Sequence, residues 1–187
     1  MISIRKARPS DASAIAAVHV ATWRSTYAGV LPDAYLADMS VPRIAAGYQH
    51  GLYERRDGEA VFVAVARPES GQGPSRIVGF ASGGRSRRGG VAEGEISTLY
   101  VLDDWQEHGL GRRLMRATAA HLLAIGCGSV MLWVLSQNPS RWFYQRLGGK
   151  AVAVGTIRVG GRLVEQTGML WDPIDRLLAA TARADGA

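Results

Sequence analysis

The feature that most constrains this chain is residues 97–117, STLYVLDDWQEHGLGRRLMRA. It opens as a strand, STLYV, and closes as a helix with apolar residues at helical spacing, LGRRLMRA. Between them lie Gln106, Glu107, His108, Gly109, Leu110 and Gly111, followed by Arg112 and Arg113. The first N–H groups of a helix lack intrahelical partners and point away from its start. The helix dipole adds partial positive charge there, and together they seat phosphate oxygens. Gly109 and Gly111 carry no Cβ, so a pyrophosphate can approach the backbone closely. Arg112 and Arg113 add cations beside it. No Gly-Lys-Ser/Thr follows, so this is not a Walker loop. The three spaced glycines of a dinucleotide fingerprint are also missing. On these residues alone, a plain strand–helix turn with surface arginines remains open.

The rest of the chain alternates strands and helices. Residues 2–6 alternate like a short strand, and Pro9-Ser10-Asp11 offers a helix start ahead of residues 12–23. Two helical pieces follow, at Leu31-Pro32-Asp33 and from Pro42 to about residue 54. Strands are expected at 60–66, 76–82, 91–101 and 129–135, with helices at 110–125 and 139–147. Residues 151–170 read as a hairpin turning at Gly160-Gly161. The order predicts one mixed α/β domain over residues 1–172 and a surface helix or tail over 173–187.

The length of 187 residues is enough for one domain with a real core. No apolar run reaches membrane-spanning length and no signal peptide is visible, so the expectation is a cytoplasmic protein without a membrane partner. The lone Cys127 excludes an internal disulfide and reads as a packed thiol. Net charge is +6, which suits an anionic partner without saying which.

Two motifs narrow the field. The first is Gln106-x-x-Gly109-x-Gly111 after the strand reading LYV. The second is NPSRWFYQRLGG, with Asn138, Phe143, Tyr144, Leu147 and Gly148. In this order, each on its own element, they resemble the acetyl-CoA site of the GNAT N-acetyltransferase superfamily, and the order of elements is similar from about residue 2 to 171. Tyr144 follows Asn138 by six residues, where the commoner family spacing is seven. Asn138-Pro139 reads as an N-cap with proline at the first helical position, which keeps the asparagine outside the regular helix.

The resemblance implies a fold of about seven strands. The sheet would be mixed and mostly antiparallel, flanked by helices, with a splayed parallel pair at 95–101 and 129–135. It implies acetyl-CoA as co-substrate, no metal, and a primary amine as acceptor, either a small molecule or amino-acid-like. Transfer would be by direct attack in a ternary complex. The cofactor would meet Leu99, Tyr100, Val101, Gln106, Glu107, His108, Gly109, Leu110, Gly111, Arg112, Asn138 and Tyr144. Tyr144 is the implied general acid toward the leaving thiolate, against a core role beside Phe143. Glu95 is the implied base, directly or through water, against a solvent-facing strand carboxylate. Trp23 and Tyr27, with Tyr35 nearby, fall where the fold builds the acceptor wall. The resemblance also leaves room for a homodimer.

The histidines show no metal-ligand spacing. His19 reads as structural, His50 and His121 as helix-surface residues, and His108 as a backbone donor in the loop. Arg85, Arg87 and Arg88 crowd a glycine-bounded loop that reads as a solvated hairpin tip. A nucleic-acid partner is therefore not the expectation. An RNA-interacting member that acetylates aminoacyl-tRNA, and a non-catalytic acyl-CoA sensor, remain as alternatives.

Overall fold

The structure is a computed structural model and describes residues 1–54, 58–68, 73–87 and 90–182. Seven strands form one sheet: β1 (Ile2–Lys6), β2 (Ala60–Ala66), β3 (Arg76–Arg85), β4 (Gly94–Val101), β5 (Val130–Leu135), β6 (Lys150–Val159) and β7 (Arg162–Trp171). Their order is β1-β2-β3-β4-β5-β7-β6. Every neighbouring pair is antiparallel except β4–β5, which is parallel. The β6–β7 hairpin turns at Gly160 and Gly161, both at positive φ, as the sequence predicts.

Helices α1 (Ala12–Thr26), α2 (Asp33–Asp38) and α3 (Val41–Glu54) precede β2, and α4 (Leu110–Ala124) follows β4. On one face, α1 buries Ile15 and Val18 against Val63, Val65 and Phe80. On the other, α4 buries Leu110, Leu114, Met115, Ala119 and Leu122 along one stripe. Part of that stripe meets Ile96, Val130 and Leu132 of the sheet. Full burial of each such side chain stabilises by about 1.5–3 kcal/mol.

Several boundaries differ from the sequence reading. α1 runs on to Thr26, β3 runs on to Arg85, β4 starts only at Gly94, and helix α5 spans only Arg141–Arg146. Asn138 opens a turn ahead of α5, and Ser140 is its N-cap residue. The C-terminal helix α6 (Asp175–Ala182) is less superficial than expected. Ile174 and Leu177 are fully buried in the core, and the Arg116 guanidinium of α4 donates to the Leu178 carbonyl at 2.7 Å. No helix among the described residues is long and apolar enough to cross a membrane.

Candidate active site

The two parallel strands part early. β4 and β5 pair only at Gly94–Val130 and Glu95–Met131. The cause lies partly in β4, where Ser82 faces Thr98 but Gly83 faces Ile96, which leaves Ser97 as an extra residue. A bulge of this kind bends its strand and ends regular pairing. Past it, residues 97–101 have no ladder partner on the β5 side. Leu99 then turns toward α4, while Tyr100 packs beside His19 and Phe80 with ring centroids 5.0 and 5.3 Å away. The Val101 carbonyl already accepts from Gln106 Nε2 at 3.1 Å.

The turn after β4 is tightly built. Gln106 also donates to Asp103 Oδ1 at 3.1 Å, and the same oxygen accepts from Ser25 Oγ of α1 at 3.1 Å. His108 Nδ1 sits 2.6 Å from the Gln106 carbonyl, so its ring folds back onto the loop. Glu107 and Gly109 both take positive φ, 63° and 70°. Gly109 is the N-cap of α4, and the first bond it accepts comes from the Arg113 N–H at 3.1 Å. Helix geometry therefore leaves the Leu110 and Gly111 amides without intrahelical acceptors. The Leu110 side chain is buried in the core, so only its backbone is available here. A Cβ on Gly111 would lie 3.2 Å from Phe143 Cζ, so the two sequence motifs touch. Arg112 is half-buried at this helix start. Arg113 does not join it as the sequence suggests: its guanidinium turns away and donates to the Ile2 carbonyl at 3.1 Å. Open amides at a helix start beside an unpaired strand edge fit a ligand made of a pyrophosphate and an amide-bearing arm.

Tyr144 lies in the core cluster behind β5, against Phe143 and Trp171 at 5.3 and 6.5 Å between centroids. Burial raises the pKa of its phenol, and the nearby Tyr100 and Tyr27 phenols add to the rise. Asn138 holds the turn: its Oδ1 accepts from the Ser140 N–H at 2.8 Å and its Nδ2 donates to the Tyr27 hydroxyl at 3.1 Å. Tyr27 is buried, with its ring 5.1 Å from that of Trp23. Burial raises the Tyr27 phenol, and the bond from Asn138 opposes the rise. Trp23 Nε1 is buried without a hydrogen-bond partner. It sits close enough to Tyr100 to temper the burial-driven rise of that phenol, yet outside hydrogen-bond geometry.

Glu95 is on the opposite face of the sheet from Tyr144. It lines a cavity of about 290 Å³ between α3 and strands β2, β3 and β4, with Tyr48, Leu52, Val61, Ser82 and Ser97. The sequence reading had not singled out this cavity. Its one early sign was the Gly47/Gly51 pair, four residues apart on an otherwise amphipathic helix. The structure thus brings Trp23, Tyr27, Tyr100, Tyr144 and Asn138 to one locus and sets Glu95 apart, with the splay between them.

His19 is structural, with Nδ1 3.0 Å from the Tyr48 hydroxyl, and burial pushes its imidazole down to about 4. His121 is not a surface residue but half-buried, 3.0 Å from the Gly58 carbonyl. In the arginine loop Arg85 and Arg87 are exposed, as a solvated tip requires, and each still has a partner: Arg85 donates to the Ile125 carbonyl at 2.6 Å and Arg87 pairs with Glu59. Arg88 lies outside the described residues. Cys127 is buried. Among the described residues no cluster of three or more His, Cys, Asp or Glu is placed to hold a metal.

Known proteins share this architecture. The chain is 34% identical over 179 residues to the N-acetyltransferase YuaI of Bacillus subtilis (strain 168), itself uncharacterized, covering 95% of this chain and 96% of that one. The fold superposes on the PaiA N-acetyltransferase of Thermoplasma acidophilum in complex with coenzyme A, with a TM-score of 0.64 at 18% identity over 89% of this chain and 98% of that one. It also superposes on YncA of Salmonella typhimurium with its cofactor acetyl-CoA, with a TM-score of 0.63 at 21% identity over 92% and 94%. The model of the acetyltransferase (GNAT) family matches residues 23–149. The chain belongs to the acetyltransferase (GNAT) family.

Proposed function

We propose that this protein transfers an acetyl group from acetyl-CoA to a primary amine, by direct attack in a ternary complex. The observation that carries this reading is the parting of β4 and β5 after Glu95–Met131, directly beside the open start of α4. Acetyl-CoA supplies an activated thioester. The amides of Leu110 and Gly111, with Gly109 at the turn and Arg112 beside them, hold its pyrophosphate. The backbone of Leu99 and the N–H of Val101 lie on the β5 side, because Leu102 and hence Tyr100 turn toward β3, and they pair with its amide-bearing arm as an added strand would. Glu107 and His108 act through the shape of the loop, which fixes where the amides point. The second amide hydrogen of Asn138 remains for the arm, its first being given to Tyr27.

Glu95 takes the proton of the attacking amine, directly or through a water, from the α3 side. Tyr144 faces the leaving sulfur from the other side. A phenol raised by burial stays protonated at neutral pH, so it is always a ready donor. A thiol titrates near 8.5, so Tyr144 stabilises the departing thiolate chiefly by hydrogen bonding rather than by full proton release. Trp23 and Tyr27 wall the acceptor side. Positioning two bound reactants supplies much of the remaining acceleration.

Calorimetric titration of acetyl-CoA into wild type and Gly111→Glu tests the site. The added carboxylate should repel the pyrophosphate and lower affinity at least about tenfold, a loss of about 1.4 kcal/mol. A thermal melt of the variant separates this loss from repacking against Phe143. Equal affinity in a folded variant contradicts the assignment.

A further inference from the structure

We infer that Asp103 is a positioning residue for the cofactor: through the Gln106 side chain it holds the turn that aims the first amides of α4 at the pyrophosphate. This deepens the acetyl-CoA reading and rests on it.

The turn needs holding. Among the described residues Glu107 is the one residue other than glycine at positive φ, at 63°. A residue with a Cβ is disfavoured there, because the Cβ comes too close to the following carbonyl oxygen. Such a conformation persists only where its surroundings over-determine it. Gly109 follows at positive φ and caps α4. The direction of the Leu110 and Gly111 amides therefore depends on the turn just before them.

Two side chains restrain that turn. His108 folds back with Nδ1 2.6 Å from the Gln106 carbonyl, which closes the turn on itself. Gln106 ties it to the rest of the protein. The two hydrogens of its Nε2 go to the Val101 carbonyl and to Asp103 Oδ1, each at 3.1 Å. The Gln106 N–H also donates to the Asp103 carbonyl at 3.1 Å. Asp103 is itself anchored. It opens the short 3₁₀ turn Asp103–Trp105, and Leu102 and Trp105 on either side of it pack against the core around Leu110 and Leu114. Its Oδ1 also lies 3.1 Å from Ser25 Oγ of α1, whose one hydrogen it shares with the Thr22 carbonyl at 3.2 Å. A brace thus runs from the core through Asp103 and Gln106 to the left-handed Glu107.

The charge of Asp103 does not explain its place. A carboxylate has the same sign as a pyrophosphate and opposes it. The geometry uses its oxygen, as the acceptor for Gln106. An asparagine offers the same oxygen without the charge. Without that acceptor Gln106 is freed and Glu107 can leave the left-handed region. Fewer loops are then poised to bind, and apparent affinity falls by that fraction.

The test is calorimetry with acetyl-CoA and with its 3′-phosphorylated ADP half, which keeps the pyrophosphate and lacks the arm. Asp103→Ala should weaken both ligands by about fivefold, the worth of one hydrogen bond, with a melting temperature close to wild type. Asp103→Asn should bind both at least as tightly as wild type. In a Gln106→Met background Asp103→Ala should cost less than about a further twofold, because the brace is already cut. Unchanged affinity in Asp103→Ala overturns the inference. So does a loss confined to acetyl-CoA, an Asp103→Asn as weak as Asp103→Ala, or losses at 103 and 106 that add. A wild type with no affinity for acetyl-CoA would overturn the acetyl-CoA reading, and this inference with it.

Discussion

Asn138 Nδ2 donates to the Tyr27 hydroxyl at 3.1 Å, tying the end of α1 to the turn after β5. The same asparagine accepts from the Ser140 N–H, so one side chain both shapes the turn before α5 and anchors it to α1. Helix α1 and the helix carrying Tyr144 are thereby held in register across the splay.

This contact should appear as coupling. In urea unfolding, the double-mutant cycle of Tyr27→Phe and Asn138→Ala should give an interaction energy of about 0.5–1.5 kcal/mol. Asn138→Ala alone should cost more than Tyr27→Phe alone, because it also removes the acceptor for Ser140. Additivity within about 0.3 kcal/mol would leave the contact without energetic weight.

Tyr144→Phe keeps the ring against Trp171 and removes only the hydroxyl. We expect kcat to fall by ~10²-fold, in the range of a lost hydrogen-bond donor to charge that develops in the transition state, with acetyl-CoA affinity nearly unchanged. A kcat within about a factor of two of wild type would make Tyr144 a packing residue only.

His19 predicts a pH dependence of stability. Its folded pKa is pushed to about 4 by burial, below the unfolded value of about 6.5. The unfolded state therefore binds the proton first. The contribution of His19 is fully present above pH ~6.5 and is lost as pH falls toward ~4. The full shift corresponds to about 3 kcal/mol, reduced by the solvent that still reaches the ring. The difference in melting temperature between wild type and His19→Gln should shrink or change sign as pH drops from ~7 to ~4. A difference constant over that range would show that the ring does not titrate on unfolding.

The glycine turn between β4 and α4 was legible in the sequence because its determinants are local. Gly109 must take positive φ, Gly111 must stay small beside Phe143, and both positions stand out as glycines after a strand. The splay was legible only through resemblance, since it depends on the register between Gly94–Glu95 and Val130–Met131, which no local pattern encodes. Long-range polar partners were hidden for the same reason. Nothing near His121 announces the Gly58 carbonyl, and nothing in the arginine loop announces Glu59. The start of α5 was misplaced because Asn138-Pro139 suits a helix N-terminus as well as the turn it forms.

Whether this chain moves an acetyl group onto an amine is read from amine-dependent thiol release. Purified protein with acetyl-CoA is offered a panel of primary amines, thiol is followed by colorimetry, and the product mass is read. Thiol release should run well above the amine-free rate for at least one amine, with one acetyl group added to that amine for each thiol freed. Acetyl-CoA that binds tightly yet yields no amine-dependent thiol and no acetylated product would contradict the proposed transfer.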